Sequence, residues 1–158
     1  MGVTAASRPK SPPYEAYAAI IGTYVGGLGL AGLAARALDR NPACQTPLDL
    51  TVLAAATFKA ARTLAHDEVT SFLREPFVQG DAHEGHEDPL PSGDYRQAIG
   101  ELVTCSRCGG TWAAAALATS QILMPRFGRL LTWSLAAAGI NDWLQAGFAA
   151  LTEKANES

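Results

Sequence analysis

The residues of this 158-residue chain with the clearest chemical potential are two cysteines spaced Cys105-Ser-Arg-Cys108. Two intervening residues let both sulfurs reach one tetrahedral ion, so the pair supplies half of a zinc site. His83-Glu-Gly-His86, upstream of it, offers the other half, and zinc bound by His83, His86, Cys105 and Cys108 is one candidate centre. A redox dithiol is another. At the start of a helix, the dipole and Arg107 would both favour thiolate, although no βαβ pattern of the thioredoxin kind surrounds the pair. The plainest reading is that both cysteines are small packing residues at a helix entry. Cys44, the third cysteine, stands alone in a proline-bounded stretch and is incidental.

A second constellation is Arg62, His66, Asp67 and Arg74. Two guanidinium groups and a His-Asp pair can hold a lipid phosphate or support acid–base work. The competing reading is structural: Asp67 caps a short helix, and Arg62 or Arg74 pairs with Asp67 or Glu101. Thr70 and Glu101 then serve as hydrogen-bond partners, which explains them without chemistry. The sequence contains no G-x-x-x-x-G-K-[ST] loop, no H-E-x-x-H and no G-x-S-x-G. No catalysis is expected. The net charge of −3 gives no basic footprint for nucleic acid.

The elements that must position these groups are unusually poor in charge. Charged residues make up 17% of the chain, against roughly 25% in an average soluble domain. Between Arg107 and Arg126 there are none. The uncharged run Ala16–Ala35 has 20 residues, about 30 Å as helix, which matches a bilayer core. Within it Gly22, Gly26 and Gly29 lie close to one face and suit the approach of another helix. A second helix is expected over Leu48–Ala65, with Lys59, Arg62 and His66 on one stripe. A short continuation from Glu68 should stop at Pro76. Residues 79–95 read as a polar loop, and a third helix as Gly110–Met124 followed by a tight turn at Pro125–Arg129. From Leu130 onward the pattern blurs. Asn141-Asp142 either sits inside a longer helix reaching Leu151 or, the preferred reading, is the N-cap of a separate amphipathic helix Trp143–Leu151, with Trp133 and Trp143 as interfacial anchors in either case.

The N-terminal apolar run is longer than a signal-peptide core and lacks a clean cleavage pattern, so it is expected to be retained. In a four-span arrangement Arg8, Lys10, Arg74, Arg96, Arg107 and Lys154 fall on one side, and Arg36, Arg40, Arg126 and Arg129 on the other. The richer side should be cytoplasmic, together with Cys105 and Cys108.

Two stretches carry a family resemblance. One is Thr57-Phe58-Lys-Ala-Ala-Arg62-Thr63-Leu64-x-x-Asp67-x-Val69-Thr70-x-x-x-Arg74-x-Pro76-Phe77. The other is Gly100-Glu101-Leu102-Val103-Thr104-Cys105-x-x-Cys108-x-x-x-Trp112. Together they resemble the bacterial domain-of-unknown-function family numbered thirteen-sixty, small membrane proteins, over roughly Leu48 to Trp143. Ser106 departs from the proline often found after the first cysteine of that pattern, and His83–Glu87 looks like a variable insertion. The resemblance implies a membrane location and marks Arg62, Asp67, Thr70, Arg74, Glu101, Cys105, Cys108 and Trp112 as a shared interface. It implies no activity.

The expectation is therefore an all-α, multi-pass integral membrane protein of the bacterial cell membrane, with three to four membrane-embedded helices. Residues 14–151 form one helical domain, and residues 1–13 and 152–158 are disordered ends. Its partners would be the lipid bilayer and either another membrane protein or a second copy, met through residues 14–35. A thiol- or zinc-dependent module is the alternative function, and a soluble alanine-rich bundle the alternative architecture.

Overall fold

The computed structural model describes residues 12–40, 45–81 and 86–156, and the side chains of all of these but Asp81 and His86. The N-terminal residues 1–11, Cys44, His83 and the last two residues lie outside that set, with whatever was expected of them. The protein is mostly helical. Helix α1 spans Tyr14–Ala37 and α2 spans Pro47–His66. A one-turn helix, α3 (Ser71–Arg74), follows between two 3-10 turns. A hairpin of β1 (Val78–Asp81) and β2 (His86–Pro89) leads to α4 (Tyr95–Thr104), α5 (Ser106–Leu123) and α6 (Pro125–Asn156).

Local chemistry sets the helix ends. Thr46 and Asp49 form a reciprocal capping box, and Pro47 occupies the first turn of α2, where its missing N–H costs nothing. Asp94 accepts from the Arg96 N–H at 2.9 Å to open α4. Met124, the residue before Pro125, leaves the helical region (φ −130°, ψ 72°) and ends α5.

Helices α2, α5 and α6 form the body of the fold, packed on one another through small residues. Ala56, Leu117 and Ala136 make the buried centre, flanked by Val52, Leu53, Ala55, Leu131 and Leu135. The buried stripe of α6 is Gly128, Thr132, Ala136 and Gly139, at the spacing of one helix face. A Cβ on Gly128 would lie 2.4 Å from the Gln121 nitrogen, and one on Gly139 would lie 3.0 Å from the Ala55 carbonyl oxygen. Both crossings need a residue without a side chain. Thr132, fully buried, donates to the Gly128 carbonyl (2.7 Å) and accepts from Gln121 Nε2 (2.9 Å), which satisfies the one polar group at the crossing.

The large side chains face outward. Leu50, Leu130, Trp143, Leu144, Phe148 and Leu151 are all about two-thirds or more exposed, while Ala56 is wholly buried. Helix α1 touches the body mainly along α5 and presents most of its length outward. Its N-terminal end meets α4, and Arg40, just beyond its C-terminus, lines a cavity with Met124, Pro125 and Phe127 at the other end. Among the described residues α1 is the one helix long and apolar enough to cross a membrane.

Four sequence expectations are corrected. The stretch 79–95 is not irregular throughout: β1 and β2 pair antiparallel, with Gly80 opposite Glu87, residues 90–94 are irregular, and α4 begins at Tyr95. Pro125–Arg129 is not a turn, because Pro125 suits the first turn of a helix and Met124 alone makes the break. Asn141-Asp142 caps nothing. It lies within the 32-residue α6, where Lys59 of α2 reaches Asp142 Oδ2 at 2.9 Å. Finally, α6 runs through Asn156, so the tail from residue 152 is helical to that point.

Candidate functional site

The two motifs meet at one end of the bundle, where α2 stops and α5 begins. Arg74 is the hub. Its side chain is 1% exposed, and Glu87 of β2 is 10% exposed beside it. Nε and Nη2 both donate to Glu87 Oε2, at 2.7 and 2.6 Å. Nη1 donates to the Leu64 carbonyl (2.7 Å), the Asp67 carbonyl (3.1 Å) and Thr70 Oγ1 (2.8 Å). Leu64 lies in the last turn of α2, whose carbonyls have no partner within the helix. Arg74 therefore caps α2 from outside and ties it to the hairpin. Thr70 completes the corner by donating to the carbonyls of Thr63 and Asp67.

This geometry revises the expected pairing. Arg74 does pair with a carboxylate, but with Glu87, which stands in the stretch read as a variable insertion. Asp67 acts through its backbone carbonyl, and its side chain makes no cap hydrogen bond. Arg62 is exposed on α2 and pairs with neither Asp67 nor Glu101. Instead it shares a cavity of about 330 Å³ with Arg107, Ser106, Thr57, Phe58 and Gly110, between α2 and the first turns of α5. His66 is exposed at the end of α2.

Cys105 is the N-cap of α5. Its Sγ accepts from the Cys108 N–H at 3.3 Å, and the Cys108 thiol donates to it at 2.7 Å. The thiol hydrogen bond, then the backbone N–H, then Arg107 hold the Cys105 thiol below its ordinary range. Cys108, whose proton is engaged by Cys105, is pushed up. The pair is half-buried at Cys105 and exposed at Cys108. Cys108 also lines a cavity of about 240 Å³ with Tyr17, Ile20, Glu101 and Leu102. Among the described residues no group of three or more His, Cys, Asp or Glu is arranged to hold a metal. His83 lies outside those residues, and His86 is described only as the backbone partner of Asp81.

Glu101 and Trp112 do a different job from Arg74. Glu101 Oε2 accepts from the Tyr17 hydroxyl, and Oε1 from Gln97 Nε2 at 2.9 Å. Trp112 meets Tyr24 edge to face, with centroids 5.2 Å apart. Both therefore dock α1 onto the bundle. Gly22, Gly26 and Gly29, on α1, have no atom within 4 Å of where a Cβ would stand. They pack on nothing among the described residues.

Several positioning residues escape a sequence reading. Glu87 looks like loop charge, and Tyr17 and Tyr24 look like apolar span. Gly100 shows itself only as a motif glycine, yet a Cβ there would meet the Phe77 carbonyl oxygen at 2.5 Å and Pro89 at 3.2 Å. Its bare Cα is what lets α4 lie on the hairpin.

Comparison with known proteins matches the stretch of chain that contains both motifs. A family model described as "Protein of unknown function (DUF1360)" matches residues 52–148. Sporulation protein YjcA of Bacillus subtilis (strain 168) is 31% identical over 117 residues, covering 62% of this chain and 95% of that protein. UPF0713 protein YngL of the same organism is 27% identical over 103 residues, covering 62% of this chain and 76% of its own length. No solved structure matches. The matched segment takes in α2 to most of α6, with the Arg74 hub and the thiol pair inside it and α1 outside. The chain belongs to the bacterial DUF1360 family.

Proposed function

We propose that this protein is a small multi-pass membrane protein that acts as a structural or interaction component of a membrane complex. The observation that carries the reading is the inversion of residue size across the bundle. Apart from Leu117, the buried residues of α2, α5 and α6 are alanine, glycine and threonine, while many leucine, phenylalanine and tryptophan side chains point out. In water each large apolar side chain left exposed forgoes about 1.5–3 kcal/mol of burial. In lipid that drive between helices is absent, and close backbone contact through small residues takes its place. Helices α2, α5 and α6 measure about 30, 27 and 48 Å at 1.5 Å per residue, enough with α1 to give three to four embedded helices. The Arg74 corner, the hairpin and the thiol pair then sit together at one interface, the cytoplasmic one by the distribution of arginine and lysine. The open glycine face of α1 is the surface offered to a second copy or another membrane protein.

Carbonate extraction of cell membranes tests the location. The protein should stay in the membrane pellet and need detergent to stay dispersed. Release into the supernatant, with a monodisperse species in plain buffer, would overturn the reading. A pull-down in mild detergent then identifies the partner.

The hydrogen bond between the two thiols favours a second reading, a thiol-dependent module. Oxidation of Cys105 and Cys108 to a disulfide would release two protons and pass two electrons to the disulfide of a partner protein, reducing it to two thiols. A redox titration with quantitative thiol alkylation tests this. Reversible two-electron oxidation, absent from the Cys105→Ser, Cys108→Ser variant, is the expected result, and a pair that stays reduced throughout would rule it out.

A further inference from the structure

We infer that the cavity between α2 and the start of α5 is a binding site for a phosphate group, held by Arg62 and Arg107. The two arginines come from different helices, yet both line one space of about 330 Å³. No carboxylate is among its lining residues. Among the described residues neither arginine has an ion-pair partner. Arg74, by contrast, is saturated by Glu87, Thr70 and two carbonyls, so it is closed to any ligand.

Ser106 adds a hydroxyl, and the N-terminal residues of the 18-residue α5 line the same space, where the helix end is positive. Two arginine forks match a tetrahedral oxyanion better than a lone charge would. The volume exceeds that of a bare phosphate, and Phe58 offers an apolar wall, so a phosphate ester fits. Its source is either the headgroup of an anionic phospholipid or a soluble phosphate. The inference does not depend on the membrane reading, since the site is formed within the bundle itself.

The test uses the full chain in an uncharged maltoside detergent, or in plain buffer if it proves water-soluble. The arginine Nε–Hε resonances are followed during titration with inorganic phosphate in one arm. Short-chain phosphatidylglycerol, below its micelle concentration, is used in the other. Saturable shifts at Arg62 and Arg107, with Arg74 unmoved, are expected in at least one arm. Saturation by inorganic phosphate identifies a soluble source, and saturation by the lipid alone identifies a headgroup. R62Q and R107Q should each weaken binding about tenfold or more. Shifts that never saturate in either arm, or affinity in R62Q and R107Q equal to that of the unsubstituted protein, would overturn the site. Carbonate extraction is scored separately, so failure here leaves the membrane reading standing and failure there leaves this one.

Discussion

Replacing Arg74 by methionine should be among the most damaging single changes outside the helix crossings. The side chain is 1% exposed, and Glu87 beside it is 10% exposed, so the substitution strands a nearly buried carboxylate. Breaking a buried ion pair from one side costs about 3–5 kcal/mol. The lost donors also leave Leu64, Asp67 and Thr70 with fewer partners, part of the same penalty where water cannot enter. A typical domain is stable by only about 5–15 kcal/mol, so R74M should fold poorly or melt many degrees lower. Adding Glu87→Met removes the orphaned charge and should recover roughly half of the loss, leaving about 1–3 kcal/mol for the uncapped carbonyls. Arg74→Lys should fall between, because one ammonium cannot serve Glu87 and three acceptors on the other side at once. The assay is denaturant unfolding of the purified protein followed by tryptophan fluorescence, with the unsubstituted protein, R74M, E87M and the double variant treated as a double-mutant cycle. A loss below about 1 kcal/mol in R74M, or no relief from the second substitution, would refute the assignment of Arg74 as a cap held by Glu87.

Three other outcomes follow from the geometry. Gly139→Leu should cost about 1–3 kcal/mol, because Ala55 and Lys59 already crowd the position. Gly147→Ala, with nothing within 4 Å, should be neutral or stabilising by up to about 1 kcal/mol, and unfolding midpoints of the two variants check the contrast. In an alkylation series of rising pH, Cys105 should react before Cys108. Its lowered pKa makes it thiolate first, although exposure alone would favour Cys108. The sign of the linkage agrees: an acid held low in the folded state stabilises the fold above its ordinary range, and that contribution fades as pH falls through the folded value. Peptide mass spectrometry reads the order, and prior labelling of Cys108 would count against the N-cap geometry. The Glu101→Gln, Trp112→Ala variant should loosen α1, raising its hydrogen exchange without changing exchange in α2, α5 and α6. Equal loosening of all four helices would mean that α1 belongs to the core.

Much of the architecture was legible in the order of residues because it rests on local physics. The proline and threonine that open α2, the uncharged length of α1 and the break before Pro125 each act over a few neighbours. The helices could therefore be placed to within a few residues in most cases. The two motifs were also legible, through their resemblance to one family, and the matched stretch 52–148 contains both. The loop at residues 79–95 was misjudged for a physical reason. Its strands are short and polar, and pairing between them is a non-local event that no periodicity announces. The same holds for Asn141-Asp142, whose polarity looks like a helix end until Lys59 is seen across the bundle.

What the chain's order settled alone was its composition-driven character: low charge, one long apolar helix, a thiol pair at a helix entry and membership of its family. Which carboxylate closes on Arg74, and which arginine is left to face Arg107, was decided only by the tertiary arrangement. The reason is that ion pairing depends on distance in space and on solvent access. Neither quantity exists until α2, the hairpin and α5 have been brought to the same corner.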